Sequence, residues 1–195
     1  MNISVIVLAG YNEPRQLPKA RQVIVVKNKK GRGYGIVEGL KQVTGEVTLV
    51  LHADTTLPEN WQEEVRELLA TGTTAGAFHL DFDRNTFWTR LGKRAMKLHF
   101  DLRQEVWGDC AQFARTKDWK HIAQGLDVPL MEDVIFCQEM KRIGNIALAP
   151  SAIETSARKL RQPLRFAWKV LRLRLQFAWG VSPEILYKKY YSEKI

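Results

Sequence analysis

Apolar residues first gather in "ISVIVLA" (3–9), a β-branched run with little polar interruption. A run of this length and composition predicts a strand buried on both faces. "QVIVV" (22–26) predicts a second strand and "EVTLVLHA" (46–53) a third. Between these two, Ile36, Leu40 and Val43 recur at i, i+4 and i+7, which predicts a helix from Gly33 to just before Gly45. "LPENWQEEVRELLATG" (57–72) carries Trp61, Val65, Leu68 and Leu69 on one helical face, Pro58 near its start and acidic residues in its first turns. "AGAFHLDF" (75–82) alternates as a strand does, and residues 87–106 read as an irregular helix. "EDVIFCQEMKRIG" (132–144) predicts a helix that begins on two carboxylates and stops at Gly144, and "NIALAP" (145–150) a short strand. Strands alternating with helices predict an α/β fold with a mainly parallel sheet flanked by helices.

Ligands of such sheets collect at the carboxyl ends of the strands. The third strand ends there in "LHADT", which puts His52, Ala53 and Asp54 at that edge. The chain has 195 residues, 45% of them apolar and 26% charged, the composition of an ordinary globular domain. Nowhere do 18 apolar residues run uninterrupted, and the N-terminus lacks the basic region of a leader. Cys110 and Cys137 have no metal-ligand spacing and are expected to be reduced thiols.

The net charge of +9 is uneven. Residues 157–195 hold ten Lys or Arg and two Glu, hence +8, which leaves +1 for residues 1–156. Two regions follow: a nearly neutral body, 1–156, and a basic tail, 157–195. A body so close to neutral argues against a nucleic-acid partner. In the tail, Arg165, Lys169, Arg172 and Gln176 mark one narrow polar stripe on a helix that Gly180 and Pro183 end. The rest is Leu, Phe, Trp, Val and Ala, save Arg174. A helix over 162–179 with this pattern suits a membrane interface, and equally a seat on the body or on a second subunit.

Three motifs bear chemistry. "GRGYG" (31–35) fails the dinucleotide spacing, because Ile36 and Glu38 stand where a third glycine belongs. It still leads Arg32 into a helix N-terminus, a place that suits a phosphate, although glycines in such turns more often serve the backbone alone. Asp54 either caps the following turn or takes a divalent cation, since Mg²⁺ needs one or two protein carboxylates when a diphosphate and water complete its shell. In "LMEDV", Glu132 and Asp133 suit a helix dipole, but their apolar setting also suits a general base.

Taken together, "ISVIVLAGYNEP", "GRGYGIVEGLKQVTGEVTLVLHADTTLP", "GDCAQFAR" (108–115) and "PLMEDVIFCQEMKRIG" (129–144) resemble, in this order, the family 2 glycosyltransferases. The nearest likeness is to a small bacterial subgroup in which "LHADT" replaces an Asp-X-Asp motif. That subgroup is associated by gene context with radical-SAM enzymes and arsenosugar synthesis. "TSARKL" and "GVSPEILYKKYY" also resemble its C-terminus. The resemblance implies a GT-A fold and a nucleotide-diphosphate sugar donor whose sugar passes, with inversion, to an acceptor hydroxyl. It implies that Asp54 binds Mg²⁺ or Mn²⁺ with His52 and Ala53 beside it. It makes Asp133 the general base, supported by Glu132. Tyr11, Asn12 and Glu13 would lie at the nucleotide, Arg32 at the phosphates, and Gly108 and Asp109 on the sugar or acceptor side. The expected location is the cytoplasm, peripheral on the inner membrane face.

The sequence departs from the family between its first two strands. "GYNEPRQLPKAR" (10–21) is broken by Pro14 and Pro18 and cannot hold the helix of a usual parallel crossover. One βα unit is missing, and with it the carboxylate that holds the nucleotide base in relatives. "QVIVV" is either their third strand or their second with Lys27 in place of that carboxylate. The competing expectation is a catalytically degraded GT-A-like module that docks through its tail. A sugar nucleotidyltransferase fits less well, for want of a long basic glycine-rich signature.

Overall fold

The computed structural model describes residues 1–10, 13–27, 29–158 and 162–192. Among these residues seven strands form one mixed sheet: β1 (Ile3–Gly10), β2 (Gln22–Lys27), β3 (Val47–His52), β4 (Thr55–Thr56), β5 (Ala75–Phe82), β6 (Phe113–Arg115) and β7 (Ile146–Thr155). Their order is β2-β1-β3-β6-β5-β7-β4. The long pairings, β1 with β2, β1 with β3 and β5 with β7, are parallel; the short ones, through β6 and β4, are antiparallel. β1 is buried along nearly its whole length, as its unbroken apolar run requires of a central strand. Leu8 pairs with His52 in register, so β1 and β3 end together and open one edge.

The described residues also form seven helices: α1 (Arg32–Leu40), α2 (Trp61–Ala70), α3 (Phe87–Arg103), α4 (Thr116–Ile122), α5 (Glu132–Ile143), α6 (Pro163–Ala178) and α7 (Pro183–Ser192). α1, α4 and α5 touch in series, while α2 lies on β5 and β7. Trp61, Val65 and Leu69 are the buried face of α2, as their spacing predicts. Trp119 of α4 is fully buried, stacks on Phe136 of α5 at 4.4 Å, and donates from Nε1 to the Thr48 carbonyl at 3.0 Å. Both cysteines are free and buried. Burial pushes both thiols up, Cys137 to about 12, so neither is a nucleophile at neutral pH.

Several elements differ from the expectation. α1 ends at Leu40, before the predicted Gly45 boundary, and turns through Lys41 and Gln42. β7 runs ten residues, past Pro150, because its parallel pairing with β5 shifts register between Phe78 and His79 and resumes beyond the proline. α3 is one continuous helix with a Thr86–Thr89 capping box. Its pattern reads as irregular because Met96 faces inward while Leu91, Leu98 and Leu102 face outward. β6, α4 and α7 carry little or no period of their own and were not expected.

The tail folds back on the body. Leu173 of α6 and Leu186 of α7 bury against Leu130, Met131 and Val134, beside the start of α5. The polar stripe of α6 does not face water throughout: Lys169 is 5% exposed, and its ammonium donates to the Tyr190 carbonyl at 2.6 Å. α6 therefore divides its apolar surface. One side packs inward, and the other stays exposed at Leu164, Trp168, Leu171, Leu175 and Trp179.

Candidate active site

Four pieces of chain meet at the edge where β1 and β3 end. β3 delivers His52, and the turn after it holds Ala53 and Asp54. The first residue of α1 is Arg32. A 3₁₀ turn, Gly108–Cys110, presents Gly108 and Asp109. The first turn of α5 presents Glu132 and Asp133. Four residues flanking these pieces have positive φ: Gly10 (57°), Gly31 (128°), Ala111 (50°) and Met131 (69°). For Ala and Met this conformation costs about 1–2 kcal/mol each, strain of a kind that concentrates at functional sites.

The Arg32 guanidinium is the centre of the cluster. Its Nη1 lies 3.4 Å from Asp109 Oδ1 and 3.5 Å from Glu132 Oε1. His52 Nε2 is 3.7 Å from the same Asp109 oxygen. Burial alone would lower the Arg32 pKa, but the facing carboxylates of Asp109, Glu132 and Asp133 outweigh it and raise it above its ordinary value. Arg32 is therefore a fixed cation. Glu132 is 3% exposed, and burial pushes its carboxyl up to about 7, against the pull of Arg32 and with the push of Asp133. Among the described residues its Oε2 has no hydrogen-bond partner. Asp133 is oriented by backbone donors: the Gly108 amide donates to Oδ2 at 3.3 Å and the Val134 amide to Oδ1 at 2.9 Å.

The glycines explain how the chain comes so close. A Cβ on Gly108 would stand 2.9 Å from Arg32 Nη1 and 3.2 Å from Glu132 Oε1. A Cβ on Gly33 would collide with the Leu126 and Val128 carbonyls. The second glycine of "GRGYG" thus serves the seat of α1 on the Leu126–Val128 loop, while Arg32 faces the cluster.

Of the sequence-predicted residues, Arg32, His52, Gly108, Asp109, Glu132 and Asp133 converge. Asp54 and Ala53 stand one turn from His52, with the Ala53 carbonyl accepting from the Arg15 amide at 2.6 Å. Tyr11 and Asn12 lie outside the described residues. Glu13 sits at the neighbouring end of β2, where its carboxylate pairs with Lys27 at 2.6 Å. β2 pairs directly with β1, so Lys27 occupies the strand end beside the edge, and the carboxylate there comes from the connector. The sequence reading missed α7. Tyr190 adds to the electrostatic environment of Arg32, and Tyr191 feels both Arg32 and Glu132, with burial raising its pKa. "SPE" (182–184), with Ser before Pro and Glu, was the signal for that helix start.

Among the described residues no three His, Cys, Asp or Glu side chains gather into a metal cage. The donor set still fits a cation shared with a diphosphate. One carboxylate at the strand edge meets the protein's part of a Mg²⁺ shell. The edge also sets three acidic side chains, one of them titrating near 7, against a single guanidinium.

A curled seven-strand mixed sheet with helices on both sides, and an acidic edge where its parallel strands end, is the GT-A architecture. Solved structures agree. Glucosyl-3-phosphoglycerate synthase from Mycobacterium tuberculosis, in complex with Mn²⁺, UDP and phosphoglyceric acid, superposes with a TM-score of 0.59 at 15% identity, over 92% of this chain and 79% of that one. S. aureus TarS gives 0.56 at 15% identity, over 80% of this chain and 37% of its own length. TarS 1-349 in complex with UDP-GlcNAc gives 0.55 at 14% identity, over 81% and 59%. The chain therefore spans well under two thirds of TarS. No curated protein sequence matches it. The family model for Glycosyl transferase family 2 matches residues 7–121, and the chain belongs to that family.

Proposed function

We propose that the protein transfers a sugar from a nucleotide-diphosphate donor to an acceptor hydroxyl in one inverting displacement. The observation that carries this reading is Asp133. Its carboxylate is held by two backbone amides at the same edge as the Arg32 guanidinium, whose charge it feels, so one edge offers both a base and a cation. Asp133 accepts the acceptor's proton as the oxygen attacks the anomeric carbon, and the bond to the diphosphate breaks with its electrons. Arg32 stabilises the charge that develops on the departing phosphate. Asp109 pairs with Arg32 and lies beside His52, which orients the guanidinium. Glu132 supports Asp133 and, carrying its proton near neutrality, spares it a second negative charge. Asp54 would hold Mg²⁺ or Mn²⁺, which when bound supplies charge neutralisation for the diphosphate. UDP-sugars are the first donors to test, because two of the three solved structures above are complexes with UDP or a UDP-sugar.

The "LHADT" form supports membership of the small bacterial subgroup, and the charge step at residue 157 supports a division into body and tail. The Lys27–Glu13 pair favours a second reading, a module with weakened nucleotide binding that docks through its tail. Calorimetry with UDP- and GDP-sugars in Mn²⁺ or Mg²⁺ separates the two. The first reading expects donor binding that Asp54→Ala abolishes and Asp133→Asn preserves, with transfer lowered roughly 10²–10⁴-fold by Asp133→Asn. No binding of any donor overturns it.

A further inference from the structure

α3 is an amphipathic helix turned inside out. Thr89 and Met96 face the body, whereas Phe87, Trp88, Leu91, Leu98 and Leu102 face outward along one stripe, Leu102 being 74% exposed. A soluble helix normally places that stripe in the core. The outward stripe of α6 repeats the arrangement, with Trp179 80% exposed. The two helices meet at one carboxylate. Glu105 Oε2 lies 2.9 Å from Arg174 of α6 and 3.4 Å from His99 of α3. Both helices are basic: α3 carries five Lys or Arg against one Asp, and α6 four against none, net +4 each. At the start of α3, Arg90 and Arg94 line a shallow cleft of about 200 Å³ with Phe87 and Leu91.

We infer that α3 and α6 together form one surface that docks on an anionic lipid bilayer. The inference deepens the tail-docking reading and stands whether or not sugar transfer is confirmed. Aromatic and leucine side chains enter the headgroup boundary, and the flanking guanidinium groups meet lipid phosphates. Charge selects this occupant over a second copy of the chain. A symmetric contact through α3 would set this +4 helix against its own image, which repels, while an anionic surface neutralises it. No helix among the described residues is long and apolar enough to cross a membrane, so the contact lies in the interface plane.

Co-sedimentation with vesicles tests this, using the full chain with phosphatidylcholine alone or mixed equally with phosphatidylglycerol. Binding is expected to the mixed vesicles, weakened by salt, with little to the neutral ones. Leu91→Ser with Leu98→Ser on α3, and Trp168→Ser with Trp179→Ser on α6, should each lower partitioning by about tenfold or more, as two apolar side chains leave the interface. Arg90→Glu with Arg94→Glu, at exposed positions, should do the same without altering any apolar contact. Donor calorimetry on the same variants should be unchanged, which separates failed docking from failed sugar-nucleotide binding. Equal binding to both vesicle types, α3 variants that bind like the parent, or self-association that the α3 variants abolish without vesicle binding would overturn the inference.

Discussion

Replacing Glu132 by glutamine removes one charge from a buried carboxyl and leaves its shape. In the folded protein this group titrates near 7 instead of at its ordinary 4.5, chiefly because burial penalises the carboxylate. The folded pKa is the raised one, so the native state binds the proton more tightly than the unfolded chain does. The associated stability is fully present below about pH 4.5 and is lost as the pH climbs through 7. A displacement of about 2.5 units corresponds to roughly 3 kcal/mol at about 1.4 kcal/mol per unit. Glu132→Gln has no proton to lose. Urea unfolding of both proteins from pH 5 to pH 8 should therefore show the variant gaining about 2–3 kcal/mol relative to the parent across that range, part of the effect being already spent at pH 5. A thermal melt should show a relative shift of about 6–12 °C at pH 8 for a chain of this size. A constant offset from the loss of the Arg32 contact is permitted, and the change with pH is the readout. Two stability curves that stay parallel from pH 5 to pH 8 would refute the assignment of a protonated carboxyl at this position.

Two further substitutions probe how the site is assembled. Gly108→Ala places a methyl 2.9 Å from the Arg32 guanidinium and 3.2 Å from Glu132, both movable side-chain ends. Donor affinity should fall about tenfold in calorimetry while stability changes by less than about 1.5 kcal/mol in urea. Gly33→Ala drives its methyl into the backbone carbonyls of Leu126 and Val128, which cannot swing away. Its midpoint in urea should drop by the equivalent of about 3 kcal/mol or more.

The parts of this fold that were legible in the sequence are those with a period or a punctuation mark. β1 and β3 show as apolar runs, α2 as a clean helical face, and α5 as a carboxylate start with a glycine stop. The site was legible where short motifs carry their own chemistry, in "HAD" and "ED". What was hidden is what topology alone decides. Arg32 and Asp109 are 77 residues apart, and nothing local says that a guanidinium and a carboxylate will meet at 3.4 Å. β6 has three residues, too few for alternation to register. The stripe of α6 was visible, but its split into an inward and an outward half follows from where α7 lands.

The apolar flank of the α5 start has consequences for biosynthesis. Leu130, Met131 and Val134 are covered by Leu173 and Leu186, some forty to fifty-five residues further along the chain. A nascent chain gathers β1, β3 and α5 well before those two leucines leave the ribosome. At about 5–20 residues per second this leaves a bare hydrophobic ledge beside Glu132 and Asp133 for seconds. The carboxylates acquire these surroundings only when the two leucines close over the ledge.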